Sequence, residues 1–598
     1  MTTSYKQAAV VGIDLGASES YVAYVGKGIV DIVQNEVSKR NTSSLVGFTD
    51  RERLLGDVAL AQIKSNAKNT CRNFKHLLGR KVDAPDLDKE KFWSTCPMVE
   101  ADDGFAGYDV TYKGESRQIT ASQCTAMYLT KLKQITEEWC KAKVTDCVIA
   151  CPSSFCDVQR AALLDAAKIA GLSVLRIMNE HTATALAYGI YRSNDFDVEK
   201  PMTVAFCSMG HSTFSVCIVQ FIRGKLQVVC ERSDKVGGRD MDECLMRVFA
   251  AQFQKKFGCD PLSNKKASFK LEDSVSKTKK ILSANYEANM SCECLMEDED
   301  FSSQITRDDF EKMCEPMLAR VKAVLDSAIA ASGLTVDTID SVELVGGGSR
   351  VPFVRKVITE SFGGKELATT MNQEESVARG CALQAAILSP LYKVRDFEIK
   401  DTTNFGVKIG WMGSAADSQA EKEEDGDAQM GGAEGEYKTA EVFPMASNVN
   451  TVKLLTFYRN GPFDVKAEFV EGAPLLPGTA SDLGTYRIEL PAQNESKKVK
   501  VKAKLTLSGT FNIESAQMVE EEEYEETIKE KRELPPSPEA EKEETEEKTN
   551  GHKETAEEKP ADGEKKAEEG DAEMPEKKEG EEEKSPAEKP EEKKEVKK

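Results

Sequence analysis

A chain of 598 residues, 40% of them hydrophobic, is long enough for roughly three to five folded units with buried cores. Its 102 acidic and 80 basic residues give a net charge of −22, the wrong sign for a protein whose main partner is a phosphate backbone, which argues against nucleic acid. Residues 519–598 hold 32 acidic and 17 basic groups, so the tail carries −15 of that charge and the other 518 residues only −7.

In chain order, residues 1–390 alternate short β-branched runs with helical patterns, which predicts an α/β fold in two lobes. From Ala8 to Val25, AAVVGIDLGASESYVAYV reads as strand, tight turn and strand, with Asp14 before Gly16 and the small Ala17 and Ser18 at the tip. Successive N–H groups in such a turn form an anion nest, although taken alone the segment is more readily a plain β-hairpin. TVAFCSMGHSTFSVCIV, from Thr203 to Val219, repeats the plan around Gly210, His211, Ser212 and Thr213. Two such hairpins about 195 residues apart predict duplicated lobes clasping one phosphate chain. SVELVGGGSRVPFVRKVI then sets Gly346 to Gly348 after a strand and before a helix, where bare amides and the helix dipole favour an anion.

Residues 391–400 read as a linker, and period-two alternation takes over from 401 to 518. Val499, Val501, Ala503, Leu505 and Leu507 on one face, against Lys498, Lys500, Lys502 and Lys504 on the other, predict a half-buried antiparallel strand. Similar runs at Val452 to Tyr458, Phe463 to Val470 and Thr485 to Leu490 extend this to a β-sandwich. Gly413 to Tyr437 is too polar and too rich in Gly and Ala to pack and reads as a solvated acidic loop. The stretch 519–598, built of Glu, Lys, Pro and Ala, reads as a disordered tail.

All sixteen cysteines fall between Cys71 and Cys381, several inside apolar runs, as Cys147, Cys151, Cys207 and Cys217 do. This predicts buried thiols in a reducing compartment rather than a disulfide framework. Four histidines and the isolated Cys292 and Cys294 pair offer no finger-like metal cluster. The N-terminal MTTSYKQAAVVG lacks the character of a secretion signal, and no apolar run approaches the roughly 20 residues of a membrane span, so no membrane partner is expected.

In their order and spacing, GIDLGASES, VIACPSSFCDVQRAALLDAAKIAGLSVLRIMNEHTATALAYG, VGGRDMDE, KKILSAN and ELVGGGSRVPFVRKVI resemble the ATPase domain of the heat shock protein 70 superfamily. The resemblance spans about residues 8 to 390 and continues into the sandwich. QNEVSKRNTSSLVGF, GHSTFS and the acidic loop are similar to its heat shock protein 110 branch. It implies an actin-like two-lobed ATPase with ribonuclease H-like lobes, followed by a β-sandwich and the acidic tail. It also implies ATP or ADP with Mg²⁺ between the lobes. The implied role is a co-chaperone that exchanges nucleotide on a heat shock protein 70 and holds unfolded client proteins, in the cytoplasm and also in the nucleus.

Carried over residue by residue, the resemblance puts Asp14 near Mg²⁺ through water and Gly16, Ala17 and Ser18 at the β- and γ-phosphates. Gly210, His211, Ser212 and Thr213 would bind nucleotide from the second hairpin. Lys75 would stabilise the transferring phosphoryl group and Glu180 would orient the attacking water; a solvated helix lysine and a helix cap are their plainer alternatives. Pro152 and Arg160 would couple nucleotide state to the sandwich. Gly237, Gly238, Lys279, Lys280, Ser283, Gly346, Gly347 and Arg350 would surround ribose and adenine.

The departures from the family pattern point the other way. Ala17 stands where a hydroxyl is usual, and Ser208 where an aspartate is usual beside the metal; a serine supplies neither that charge nor a comparable proton acceptor. Hydrolysis is therefore expected to be weak at most. Ser276 replaces an adenine-site glutamate, a hydrogen bond worth about 1.5 to 3 kcal/mol. PLYKVRDFEIKD lacks the leucine-rich linker of the principal chaperones, which argues against an ATP-driven open and closed cycle. Pro535 and Pro536 interrupt the one helical start beyond the sandwich, so the branch's helical bundle is expected to be missing. Two alternatives remain: an autonomous ATP-hydrolysing folding chaperone, favoured by Lys75 and Glu180, and a nucleotide-independent holdase.

Overall fold

A computed structural model describes residues 8–26, 28–414, 416, 428–429 and 435–519. The expected tail from 520 onward and most of the acidic loop lie outside the described residues.

Two lobes repeat one sheet plan. In lobe I the strands run Ser173–Asn179, Lys143–Cys151, Ala8–Asp14, Glu19–Gly26 and Ile29–Ile32, with Ala8–Asp14 parallel to Lys143–Cys151 and antiparallel to Glu19–Gly26. In lobe II, Leu367–Ala368, Ser341–Val345, Met202–Met209, Phe214–Ile222 and Lys225–Asp234 follow the same logic, Met202–Met209 being parallel to Ser341–Val345 and antiparallel to Phe214–Ile222. The central strands are buried on both faces, which is why they read as continuous apolar runs rather than as alternation. Each predicted hairpin tip thus lies at the end of the central strand of its own sheet. The helix Ser376–Leu388 lies against Ala8–Asp14 and the helix Glu180–Arg192. The contact is so close that a Cβ on Gly380 would fall 1.8 Å from the Ala183 carbonyl oxygen.

Beyond the lobes, Glu398–Lys400 pairs in parallel with Lys225–Gln227 as a further strand of the lobe II sheet, so part of the expected linker is itself structured. The β-sandwich follows as two four-stranded sheets. One is Tyr437–Phe443, Val407–Met412, Phe463–Phe469 and Asp482–Ile488; the other is Ala428–Gln429, Thr451–Arg459, Lys497–Leu505 and Phe511–Val519. In Lys497–Leu505 the valines face the core and the lysines face outward, as the alternation predicts, although the strand stops before Leu507. Asp482–Ile488 begins three residues before the expected Thr485 because its ladder with Phe463–Phe469 continues through Gly484 to Asp482. Cys156 and Val158 of lobe I share the sandwich core with Phe405, Phe443 and Phe511, so the sandwich packs directly on the lobe. Twelve of the sixteen cysteines are buried and all are free thiols. Among the described residues no helix is long and apolar enough to cross a membrane.

Candidate functional site

At the first hairpin tip the Gly16 amide donates to Ser20 Oγ at 3.1 Å, and Ser44 Oγ donates to the Gly16 carbonyl at 2.8 Å. A Cβ on Gly16 would sit 1.8 Å from the Glu19 carbonyl, so only glycine closes this turn. Ala17 and Ser18 complete it. Lys75 lies in the short 3₁₀ turn Phe74–Leu77, buried rather than solvated, and its Nζ donates to Glu180 Oε1 at 2.7 Å. Glu180 opens the helix Glu180–Arg192, where the dipole favours a carboxylate, and the N-cap position itself is held by Asn179.

Burial, with Glu180 adding repulsion and Lys75 opposing it, pushes Asp14 up to about 7. Burial lowers the Lys75 ammonium, but Glu180 and Asp14 outweigh it and leave that group above its ordinary value. The three groups therefore form one coupled cluster: a cation between two carboxyls. Ser208 sits across the cleft in Met202–Met209, paired with Ser215 and Val345.

A divalent cation suits an acid whose proton is held on by burial and by a neighbouring carboxyl. The described residues contain no group of three or more His, Cys, Asp or Glu that could hold a metal alone. The donor set is that of a weakly held, hydrated ion, to which phosphate would supply the missing ligands. Bound Mg²⁺ would screen phosphate charge; Asp14 would hold its water shell, and Lys75 would meet the phosphoryl oxygens.

In the second hairpin the Gly210 amide donates to the Thr213 carbonyl at 3.0 Å, and the amides of Gly238 and Arg239 donate to the carbonyls of Gly210 and His211 at 2.9 and 2.8 Å. A Cβ on Gly237 would lie 2.7 Å from the amides of Ser212 and Thr213, so this glycine permits the loop and the following helix to meet. Ser212 reaches across the cleft, its Oγ 2.8 Å from His76 Nε2. Burial, reinforced by Arg239 and Lys235 against the opposing Glu90, pushes His76 down to about 3, so it bonds as a neutral ring.

Further bridges join the lobes. Arg239 donates twice to Glu90 at 2.6 and 2.7 Å with both side chains fully buried, and Arg72 donates twice to Glu272 at 2.6 and 2.8 Å. Lys64 meets Asp273 at 3.0 Å, and Lys89 and Lys235 pair with Asp240 and Asp86. Sequence reasoning missed all of these. Arg239 and Asp240 lie in VGGRDMDE, but no local pattern announces the partner of any of these residues, which lies far along the chain.

Among the residues expected around ribose and adenine, Lys279 Nζ donates to the Gly238 carbonyl at 2.8 Å and to Asp242 Oδ2 at 2.6 Å, and Ser283 Oγ donates to the Lys279 carbonyl at 3.0 Å. Lys280 is exposed on the same helix. Arg350 binds Gln373 Oε1 at 2.9 Å and Glu374 Oε1 at 2.6 Å, beside Gly347 and after Gly346, whose φ of +78° suits glycine. Asp242 and Glu374 were not foreseen.

Arg160 faces the sandwich. Its Nη1 donates to the Ser508 carbonyl at 2.9 Å while Nη2 reaches Asn179 Oδ1 at 2.7 Å, one residue before Glu180. Pro152 precedes the short turn that supplies Phe155, whose carbonyl accepts Arg160 Nε at 2.7 Å. A few residues link Glu180 to the sandwich in this way.

The comparisons agree with this geometry. The family described as "Hsp70 protein" matches residues 10–598. Heat shock 70 kDa protein 14 of Arabidopsis thaliana is 41% identical over 520 residues, covering 86% of this chain and 61% of the relative. Heat shock protein hsp88 of Neurospora crassa is 40% identical over 527 residues, 87% of this chain and 72% of its own length. Heat shock 70 kDa protein 4 of Homo sapiens is 38% identical over 523 residues, 87% of this chain and 60% of the relative. The chain thus spans about three fifths of the length of the Arabidopsis and human relatives. With two sheets of one plan, glycine turns facing across a cleft and a sandwich packed on lobe I, the chain belongs to the Hsp70 protein family, in its heat shock protein 110 branch.

Proposed function

We propose that this chain is an ATP-binding co-chaperone of the heat shock protein 110 type, which exchanges nucleotide on a heat shock protein 70 and holds unfolded clients. Nucleotide with Mg²⁺ acts here as a conformational ligand that steadies the closed lobes rather than as fuel. The observation that carries this reading is Ser208 in a cleft that the chain's own groups already bridge, through Arg239 with Glu90, Arg72 with Glu272 and His76 with Ser212. The cleft keeps its glycine turns and offers a hydroxyl, not a carboxylate, at position 208 of the second hairpin. The test is release of labelled ADP from a partner heat shock protein 70, run beside a calorimetric titration with ATP and magnesium. Acceleration at stoichiometric amounts with measurable ATP binding is expected, and unaccelerated release overturns the exchange role.

The ion pair of Lys75 with Glu180 at 2.7 Å favours a second reading, an ATPase that turns over by itself. Steady-state phosphate release lost in Lys75→Ala would support it, and the absence of turnover in the native chain would remove it.

A further inference from the structure

A groove of about 690 Å³ opens between the C-terminal end of the helix Glu180–Arg192 and the start of Ser376–Leu388. Three guanidinium groups line it: Arg40, Arg192 and Arg379. Only one of its lining side chains is a carboxylate, Glu375, and it is shared. Arg40 donates to it at 2.6 and 3.0 Å, and Arg379 at 2.9 and 3.1 Å. Asp31 stands 3.9 Å from Arg40, outside the groove lining.

Arg192 is placed differently. It donates to the Tyr188 carbonyl and to Thr370 Oγ1, both at 2.9 Å, and its guanidinium lies 4.1 Å from the Tyr188 ring centroid. Among the described residues no carboxylate lies within ion-pair distance of it. The groove therefore carries a surplus of positive charge, and it persists with pH, because guanidinium does not titrate in this range and Glu375 is held ionised by its two partners.

A second observation points to a ligand. Ser376, also in the lining, is only 2% exposed, and its Oγ has no hydrogen-bond partner among the described residues. A buried hydroxyl left unpaired costs free energy unless something from outside the chain completes it. Fixed guanidinium forks with a free hydroxyl are the donor set that fits a tetrahedral oxyanion. The groove is much larger than one phosphate, and Tyr191, 69% exposed, and Met371 flank it with apolar surface for the body that carries the anion.

From the guanidinium surplus, the orphan hydroxyl and the flanking ring together, we infer that this groove binds a phosphate monoester borne on an aromatic or apolar group, separately from the interlobe cleft. The phosphoryl group would sit between Arg192 and Arg379 within reach of Ser376.

The test titrates the full chain with phenyl phosphate, using Tyr191→Trp as a fluorescent reporter at the groove, first without nucleotide and then with ADP and magnesium at one equivalent per chain to occupy the cleft. Saturable fluorescence change is expected, with inorganic phosphate binding more weakly and benzyl alcohol not at all. Adding Arg192→Gln should weaken phenyl phosphate at least tenfold, the loss of one charge-assisted contact, while the unfolding temperature stays within a few degrees. A Ser376→Ala chain should weaken it severalfold. The inference is overturned if phenyl phosphate leaves the reporter unchanged, or if its affinity is the same with Arg192→Gln. A phosphotyrosyl peptide run in parallel distinguishes the source: equal or tighter binding than phenyl phosphate assigns the groove to modified protein, and weaker binding assigns it to small phosphate esters.

Discussion

Among single residues, Glu231 is a buried acid that no motif announces. It lies in Lys225–Asp234 opposite Cys217 and is 6% exposed. Burial pushes its carboxyl up to about 8; Ser153 and Arg160 work against this, while Asp401 and Glu180 add repulsion. The folded chain therefore keeps a proton that the unfolded chain releases near pH 4 to 5, so this group's stabilising contribution is complete at low pH and is lost as pH rises towards 8. Glu231→Gln has no proton to lose. Thermal unfolding at pH 5.5 and 8.5 should show the variant gaining on the native chain at the higher pH, on the order of 3 kcal/mol, and an equal difference at both pH values would contradict this. Ser208 makes the matching chemical prediction. If its hydroxyl is what limits hydrolysis, Ser208→Asp should raise single-turnover phosphate release by roughly a hundredfold to a thousandfold, the scale of one electrostatic group at a reacting centre.

Among elements, close packing of helix on helix sets the frame for the hairpin tips. Gly380 admits no Cβ because the Ala183 backbone of the neighbouring helix is already there. Gly380→Ala should destabilise the chain by about 3 kcal/mol, the overpacking range, seen as a lower unfolding temperature and weaker ATP binding together, since Glu180 rides on the displaced helix. A variant as stable as the native chain would show that the two helices separate freely. Nothing in the sequence marks Gly380, which reads as one more small residue in an apolar helix. The two hairpins were legible because local chemistry dictates them: apolar runs, a glycine turn and small polar tips. The lysine alternation in Lys497–Leu505 was legible for the same reason, because one strand face meets water. The bridges between Arg239 and Glu90 and between Arg72 and Glu272 were not, because each joins residues of different lobes that lie far apart in the sequence.

At the scale of the molecule, two-lobe duplication and a trailing sandwich could be read from composition and periodicity, but the way the sandwich is fastened to the lobes could not. Asp401 is part of that attachment, beside the Arg160 contact to Ser508. It is 3% exposed and accepts from Arg176 Nη2 at 2.7 Å, Thr182 Oγ1 at 2.7 Å and Asn179 Nδ2 at 3.1 Å. Arg176 is itself 2% exposed, with Gln384 Oε1 at 3.1 Å as its other side-chain partner. Breaking a buried pair from one side leaves the remaining charge without compensation, at a cost of about 3 to 5 kcal/mol. The chain can relieve that cost by releasing the segment around Asp401 so that water reaches Arg176, whereas the lobes keep their own cores. Asp401→Asn should therefore detach the sandwich before it unfolds the lobes. Small-angle scattering should show a larger radius of gyration than the native chain, and trypsin should cut faster at Lys393 and Arg395 while the lobes survive as a resistant fragment. Adding Arg176→Gln removes the stranded charge and should slow that cleavage again. Faster cleavage in the double variant than in Asp401→Asn alone would mean that the attachment rests on the Arg160 contact to Ser508 and the shared Cys156 core, and not on this ion pair.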